Sequence, residues 1–328
     1  MPVEQDDETQ RRLEEAVACG FLSAPQAVDL PVGFPFYVAT CAVDLPEGCL
    51  SPPGGLARRL GVGRGCSAAE AAYLALLEGV ERFSLQYRSD MAVERWPLAT
   101  AGGAAEPVPV AALALGAPGG SVPSTSRGAA AGADLEGAAR RAVLELLEHQ
   151  RCGWPLAPDA GFRRVDPAGI GRAAALAAWL EDRYRVLDLR LARHGGRHFV
   201  ALASSSDRDG GRRCEGAAAG LTLFDTLVHA AEEAVFHWRN MVALDYFGTS
   251  AAAMTPEDRA EVARYRGAAE QLSWPPMAEP WRVDADLVLE TTTSELMDEL
   301  ADASGQRVRL FDLTHPEIGV PVVKAFIG

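Results

Sequence analysis

Gly63-Arg64-Gly65-Cys66-Ser67-Ala68-Ala69-Glu70-Ala71-Ala72-Tyr73-Leu74-Ala75-Leu76-Leu77-Glu78-Gly79-Val80-Glu81-Arg82-Phe83 reads as a glycine-bearing turn that opens a capped helix. Ser67 is a good N-cap, because its hydroxyl can accept a backbone N–H of the first turn. Glu70, three residues on, gives a capping-box-like start. Tyr73, Leu76, Val80 and Phe83 follow helical spacing and predict a buried face. Glu78, Glu81 and Arg82 stand at i, i+3 and i+4 and share a different side.

The pattern recurs twice, from Ala129 (AAAGADLEGAARRAVLELLEHQ) and from Ala217 (AAAGLTLFDTLVHAAEEAVFHW). Aligned on Gly65, Gly132 and Gly220, the cap positions are Ser67, Asp134 and Thr222. The first glutamates are Glu78, Glu145 and Glu233; next come Glu81, Glu148 and Phe236, then Arg82, His149 and His237. The expected fold is therefore α+β, with three internal strand/turn-helix repeats; a shared central nucleotide cleft would require their three glutamate-bearing helices to converge.

Any one glutamate pair taken alone is an ordinary solvated helix face. Two pairs in register are harder to explain that way, since like charges on one helix repel unless a cation lies between them. Glu78, Glu81, Glu145 and Glu148 are accordingly the candidate metal ligands, and Mg²⁺ the expected ion, because it takes hard oxygen donors and shares its shell with phosphates. Arg64, flanked by glycines, could meet those phosphates. A GxxxxGK[ST] loop is absent from the sequence. His229, Glu233 and His237 lie at i, i+4 and i+8, with His149 on the equivalent helix, a pattern that would also suit zinc or iron. The plainer reading of these histidines is partly buried polar residues.

Working outward, the 328 residues carry a net charge of −14. That disfavours a broad nucleic-acid or anionic-membrane surface but allows a local phosphate pocket. No apolar run is long enough to span a bilayer, and the acidic N-terminus is unlike a signal peptide, so the cytoplasm is the expected location. Six cysteines without a CxxC pair read as reduced and mostly buried. Helices are predicted at 6–19, 170–183, 255–270 and 292–303, the last closed by Gly305. A hairpin joins 185–191 to 198–204 through Gly195-Gly196, with His194 and His198 read as exposed. Strands are expected at 34–40, 307–313 and 320–326, and mostly irregular chain from 100 to 127. The expected division is an N-terminal helical extension at 1–30 and one large domain at 31–328.

These residues resemble the YcaO family. Gly63-Arg64-Gly65-Cys66-Ser67 and Leu77-Glu78-Gly79-Val80-Glu81-Arg82-Phe83-Ser84 are similar to its first signature, usually GKG and then ExxERYS. Leu144-Glu145-Leu146-Leu147-Glu148-His149 resembles the usual LxELxERDA, with Trp154 as the downstream aromatic, and 311–324 resembles the closing strand pair. The resemblance implies an ATP- and Mg²⁺-dependent enzyme that activates a backbone amide in ribosomal peptide natural-product maturation. The product would be an azoline, a thioamide or an amidine according to the nucleophile. It places Arg64, Ser67, Glu78, Arg82, His149, Glu233 and His237 at the nucleotide and the four glutamates at the metal; no residue is assigned as catalytic. Departures are Arg64 for lysine, Leu74 for serine, His149-Gln150 for Arg-Asp, and Phe236-His237 where a glutamine is usual. With no proline-rich tail and no leader-recognition domain evident, a precursor peptide and a separate recognition partner are expected; homodimers are common in the family. The alternative is an inactive scaffold or docking subunit of a peptide-maturation complex.

Overall fold

Asp6 opens the first helix, α1 (Asp7–Ala18), by accepting the Thr9 N–H at 3.0 Å. The computed structural model describes residues 6–44, 60–118, 124–151, 161–247, 256–267, 280–283 and 285–328. Down the chain follow β1 (Gln26–Ala27), β2 (Tyr37–Ala42), β3 (Leu60–Gly65), α2 (Ala68–Ser84), β4 (Glu94–Arg95), β5 (Ala99–Ala101), β6 (Val108–Pro109) and α3 (Val110–Leu113). Next come β7 (Ala129–Ala131), α4 (Leu135–Arg151), β8 (Arg163–Val165), α5 (Gly171–Glu181), β9 (Arg185–His194), β10 (His198–Asp207) and β11 (Cys214–Gly220). The chain ends with α6 (Leu223–Phe247), α7 (Pro256–Arg266), α8 (Thr293–Ser304), β12 (Val308–Asp312) and β13 (Val322–Ile327). The fold is α+β, as the alternation of strands and capped helices predicts.

The chain divides into two compact units. One comprises Met1–Val32, Phe36–Leu147 and Thr292–Gly328; the other Gly33–Pro35 and Glu148–Thr291. In the first, β1-β2-β3 and β5-β12-β13-β7 are antiparallel sheets, with β4 and β6 paired beside them. Tyr73, Leu76, Val80 and Phe83 of α2 enter a core with Leu13, Leu22, Cys41, Leu313 and Val320. Three glycines let β3 lie flat on α2. A Cβ on Gly63 would sit 1.9 Å from Ala71 O, and one on Gly61 2.2 Å from Ala75 O. α8 has a complete capping box between Thr292 and Glu295 and ends at Gly305, whose φ of 65° suits a residue without Cβ.

In the second unit β11-β10-β9-β8 form one antiparallel sheet, with α5 and α6 packed on it. The predicted hairpin is present, with Gly195 and Gly196 at φ 54° and 75° between β9 and β10. The buried Arg185 is held by Ser205 Oγ at 3.0 Å and Asp207 Oδ1 at 2.6 Å and lies over the Trp238 ring.

Two expectations need correction. His198 is fully buried, not exposed, because its cross-strand partner His194 stacks on it with ring centroids 5.5 Å apart. The stretch 100–127 is not simply irregular: β6 pairs with β4, and α3 follows Pro109, whose φ of −55° is already near helical. Cys41 and Cys214 are buried as expected, whereas Cys19 and Cys66 are exposed. Cys49, Cys152, Trp154 and part of the predicted helix 255–270 lie outside the described residues.

Candidate functional site

Each of the three glycine-led segments builds an edge strand followed by a helix: β3 before α2, β7 before α4, β11 before α6. Those of α2 and α4 lie in the first unit, with Glu148 just past its boundary, and that of α6 lies in the second. On β3 the glycines 61, 63 and 65 face α2, so Leu60, Val62 and Arg64 project from the other face by strand alternation. Arg64 is thus displayed on the sheet face away from the helix. Ser67 caps α2, its hydroxyl accepting the Glu70 N–H at 3.1 Å. Glu70, itself buried, folds back onto the Cys66 N–H at 2.7 Å. The turn between Arg64 and the helix is therefore fastened at both ends.

Glu78 uses both carboxylate oxygens. Oε2 accepts the Val62 N–H at 2.9 Å, and Oε1 accepts Arg82 Nε at 3.0 Å. Glu81, one turn on, is different. Burial, then the charges of Glu145 and Glu78, push its carboxyl well above the ordinary 4.5, with Arg82 and Lys324 opposing. Sequence reasoning gave Lys324 no site role. It is buried on β13 and donates to Thr125 O and Arg127 O, both at 2.5 Å. Burial lowers its pKa to about 8 against the pull of Glu145 and Glu81. A signal existed: Lys324 is the single lysine of the chain, every other member of the 31 Lys+Arg being arginine. Glu148 and His149 follow Glu145 by one turn on α4, with His149 exposed.

In the second unit Glu233 Oε2 accepts the Ala217 N–H at 3.0 Å, and His237 Nδ1 lies 3.4 Å from Glu215 O. His229 is exposed, and the buried Glu232 pairs with Arg172 at 3.0 Å. Leu74 packs against the core of the first unit. Among the described residues no three His, Cys, Asp or Glu side chains are gathered as a metal-binding group. A cavity of about 380 Å³ in the first unit is lined by Gly102, Ala301, Asp302, Gly305, Gln306, Arg307 and Gly328, and by none of the candidate residues. No described helix is long and apolar enough to cross a membrane.

Residues 93–328 match the family described as YcaO cyclodehydratase, ATP- and Mg²⁺-binding. That match begins after α2, so the glycine-led stretch at 63–83 lies outside it. No curated protein matches the sequence. Among solved structures, a heterocyclase in complex with substrate and cofactor superposes with a TM-score of 0.74 at 15% identity, covering 100% of this chain and 54% of that one. The chain thus spans about half the length of that heterocyclase. YcaO from Methanopyrus kandleri, bound with AMPPCP and Mg²⁺, gives 0.65 at 19% identity, covering 97% and 90%. A chain of the E. coli microcin synthetase McbBCD complex gives 0.64 at 10% identity, covering 92% and 87%. At these identities the likeness is one of fold, and it extends over the segments that the family match leaves out.

Proposed function

The chain belongs to the YcaO family, and we propose that it uses ATP and Mg²⁺ to activate a backbone amide of a ribosomally made precursor peptide. The observation that carries this reading is the match of residues 93–328 to the ATP- and Mg²⁺-binding YcaO cyclodehydratase family. Glu81, half-buried and with its carboxyl raised by burial and then by the charges of Glu145 and Glu78, supports it beside the chain's one lysine. Like charges held near one another cost stability unless a cation lies between them. The donors are all hard oxygens, which suits Mg²⁺, an ion that keeps a sparse protein shell.

In this reading Glu81 and Glu145 hold the metal, while Arg64, Arg82 and Lys324 meet phosphate oxygens. Ser67 fixes the turn that presents Arg64. Bound Mg²⁺ and ATP would supply a phosphoryl group that makes an amide oxygen a good leaving group. The chain's part is to hold the phosphates in a fixed field of cations. Azoline formation is the product favoured by the heterocyclase and microcin synthetase likenesses; thioamide and amidine formation differ in the nucleophile alone. The likeness to a chain of the McbBCD complex supports a separate partner protein for substrate recognition.

Calorimetric titration of ATP with and without Mg²⁺ tests the reading. Binding is expected only with the metal, and weakened at least about tenfold in Glu81→Gln/Glu145→Gln. A folded wild-type chain that binds no nucleotide would sink it. The second reading, an inactive scaffold, is favoured by Leu74 packing into the core and by His149 standing exposed where the family has arginine. It predicts no nucleotide binding together with capture of the precursor peptide or the partner enzyme.

A further inference from the structure

The glutamates that the sequence treats alike do different things in the fold. β3 and β11 are both the outermost strands of their sheets, and each exposes backbone donors along its free edge. In each, one N–H is taken by a glutamate on the following helix, sixteen residues on: Val62 by Glu78 at 2.9 Å and Ala217 by Glu233 at 3.0 Å. The seats match as well. A Cβ on Gly61 would lie 2.2 Å from Ala75 O and 2.6 Å from Gly79 N, and one on Gly216 2.4 Å from Ala230 O and 2.5 Å from Ala234 N. In both cases the glycine is followed by the residue whose N–H the glutamate receives. The third edge strand, β7, breaks the pattern. The Ala129 N–H, at the equivalent position, donates to Ser126 O instead, and the Glu145 charge faces Glu81 and Lys324.

We propose that Glu78 and Glu233 are a matched pair of positioning residues. Each staples an edge strand to the helix that follows it, and the metal load falls on Glu81 and Glu145. The Glu78 staple fixes β3 two residues before Arg64, so it sets where that guanidinium stands. A carboxylate whose oxygens already hold a backbone N–H and the Arg82 guanidinium has little left to offer a metal.

Glutamine and alanine separate the two roles. Glutamine keeps one acceptor oxygen for the N–H, giving up the Arg82 contact at position 78, and is uncharged and a poor Mg²⁺ ligand; alanine offers no acceptor. Amide hydrogen exchange at Val62 and Ala217 reads the staple without any ligand. Exchange is expected within about threefold of wild type in Glu78→Gln and Glu233→Gln, and at least about tenfold faster in Glu78→Ala and Glu233→Ala. Equal exchange in the Gln and Ala variants would overturn the staple. The second readout rests on the Mg²⁺-ATP reading above. Glu78→Gln should leave the Mg²⁺ concentration needed for half-maximal ATP binding within about threefold, while Glu145→Gln raises it about tenfold or more. Glu78→Ala should weaken ATP binding, and Gln at the same position should restore it. Equal shifts in Glu78→Gln and Glu145→Gln would return Glu78 to the metal shell. A wild type that binds no nucleotide would defeat the functional reading, and the exchange rates would still decide the staple.

Discussion

At the scale of single residues, charge is placed against stability. Glu81 is desolvated among like charges, so Glu81→Gln should raise the melting temperature of the metal-free protein by a few degrees while weakening Mg²⁺-dependent ATP binding. Differential scanning calorimetry beside a titration checks both halves. Truncating Lys324 should act the other way: Lys324→Met leaves the Thr125 and Arg127 carbonyls without their donor and should cost about 2 kcal/mol in urea unfolding. His315 gives the pH dependence. Burial, then the charge of Arg88, holds its imidazole below the ordinary 6.5, and Phe83 packs edge-on at 5.0 Å. The unfolded chain binds the proton first, so this contribution to stability is present above about pH 6.5 and is lost as pH falls below it. His315→Phe keeps a ring at that place. Its urea midpoint should fall less than that of wild type between about pH 7.5 and pH 5.5.

At the scale of elements, the helix starts were the most legible. Ser67 as the cap of α2 and Gly305 as the close of α8 are short-range chemistry and appear as read. The Gly195-Gly196 hairpin is equally local. The packing of β3 on α2 was not visible, because it depends on which side of the strand meets the helix. The alternating glycines, read in sequence as a turn before the helix, proved to be the contact surface of a strand. Gly63→Ala should therefore force strand and helix apart, at a cost of about 1–3 kcal/mol in denaturant unfolding. The glutamates show the same limit: helical spacing put Glu78 and Glu145 in register, but only the strand beside each shows that one receives a backbone N–H while the other faces Glu81.

At the scale of the whole molecule, the sequence pointed through its repeats to an α+β protein and through its motifs to the right family, but not to the split into two units, because the breaks fall within α4 and around residues 32–36 and 291 rather than in a marked linker. Nor did it separate the cysteines. Burial raises the Cys41 thiol to about 11, whereas Cys19 and Cys66 are exposed. Alkylation followed by peptide mapping should modify Cys19 and Cys66 first, and Cys41 and Cys214 only on unfolding. The scarcity of lysine has a practical corollary. With its only side-chain amine buried in β13, between β12 and β7, the folded protein offers acylating reagents little beyond its α-amino group. A lysine-directed protease likewise finds a single susceptible bond, Lys324–Ala325, inside a paired strand. Loss of the last four residues to such a protease would report the opening of that one sheet, in a chain otherwise inert to the enzyme.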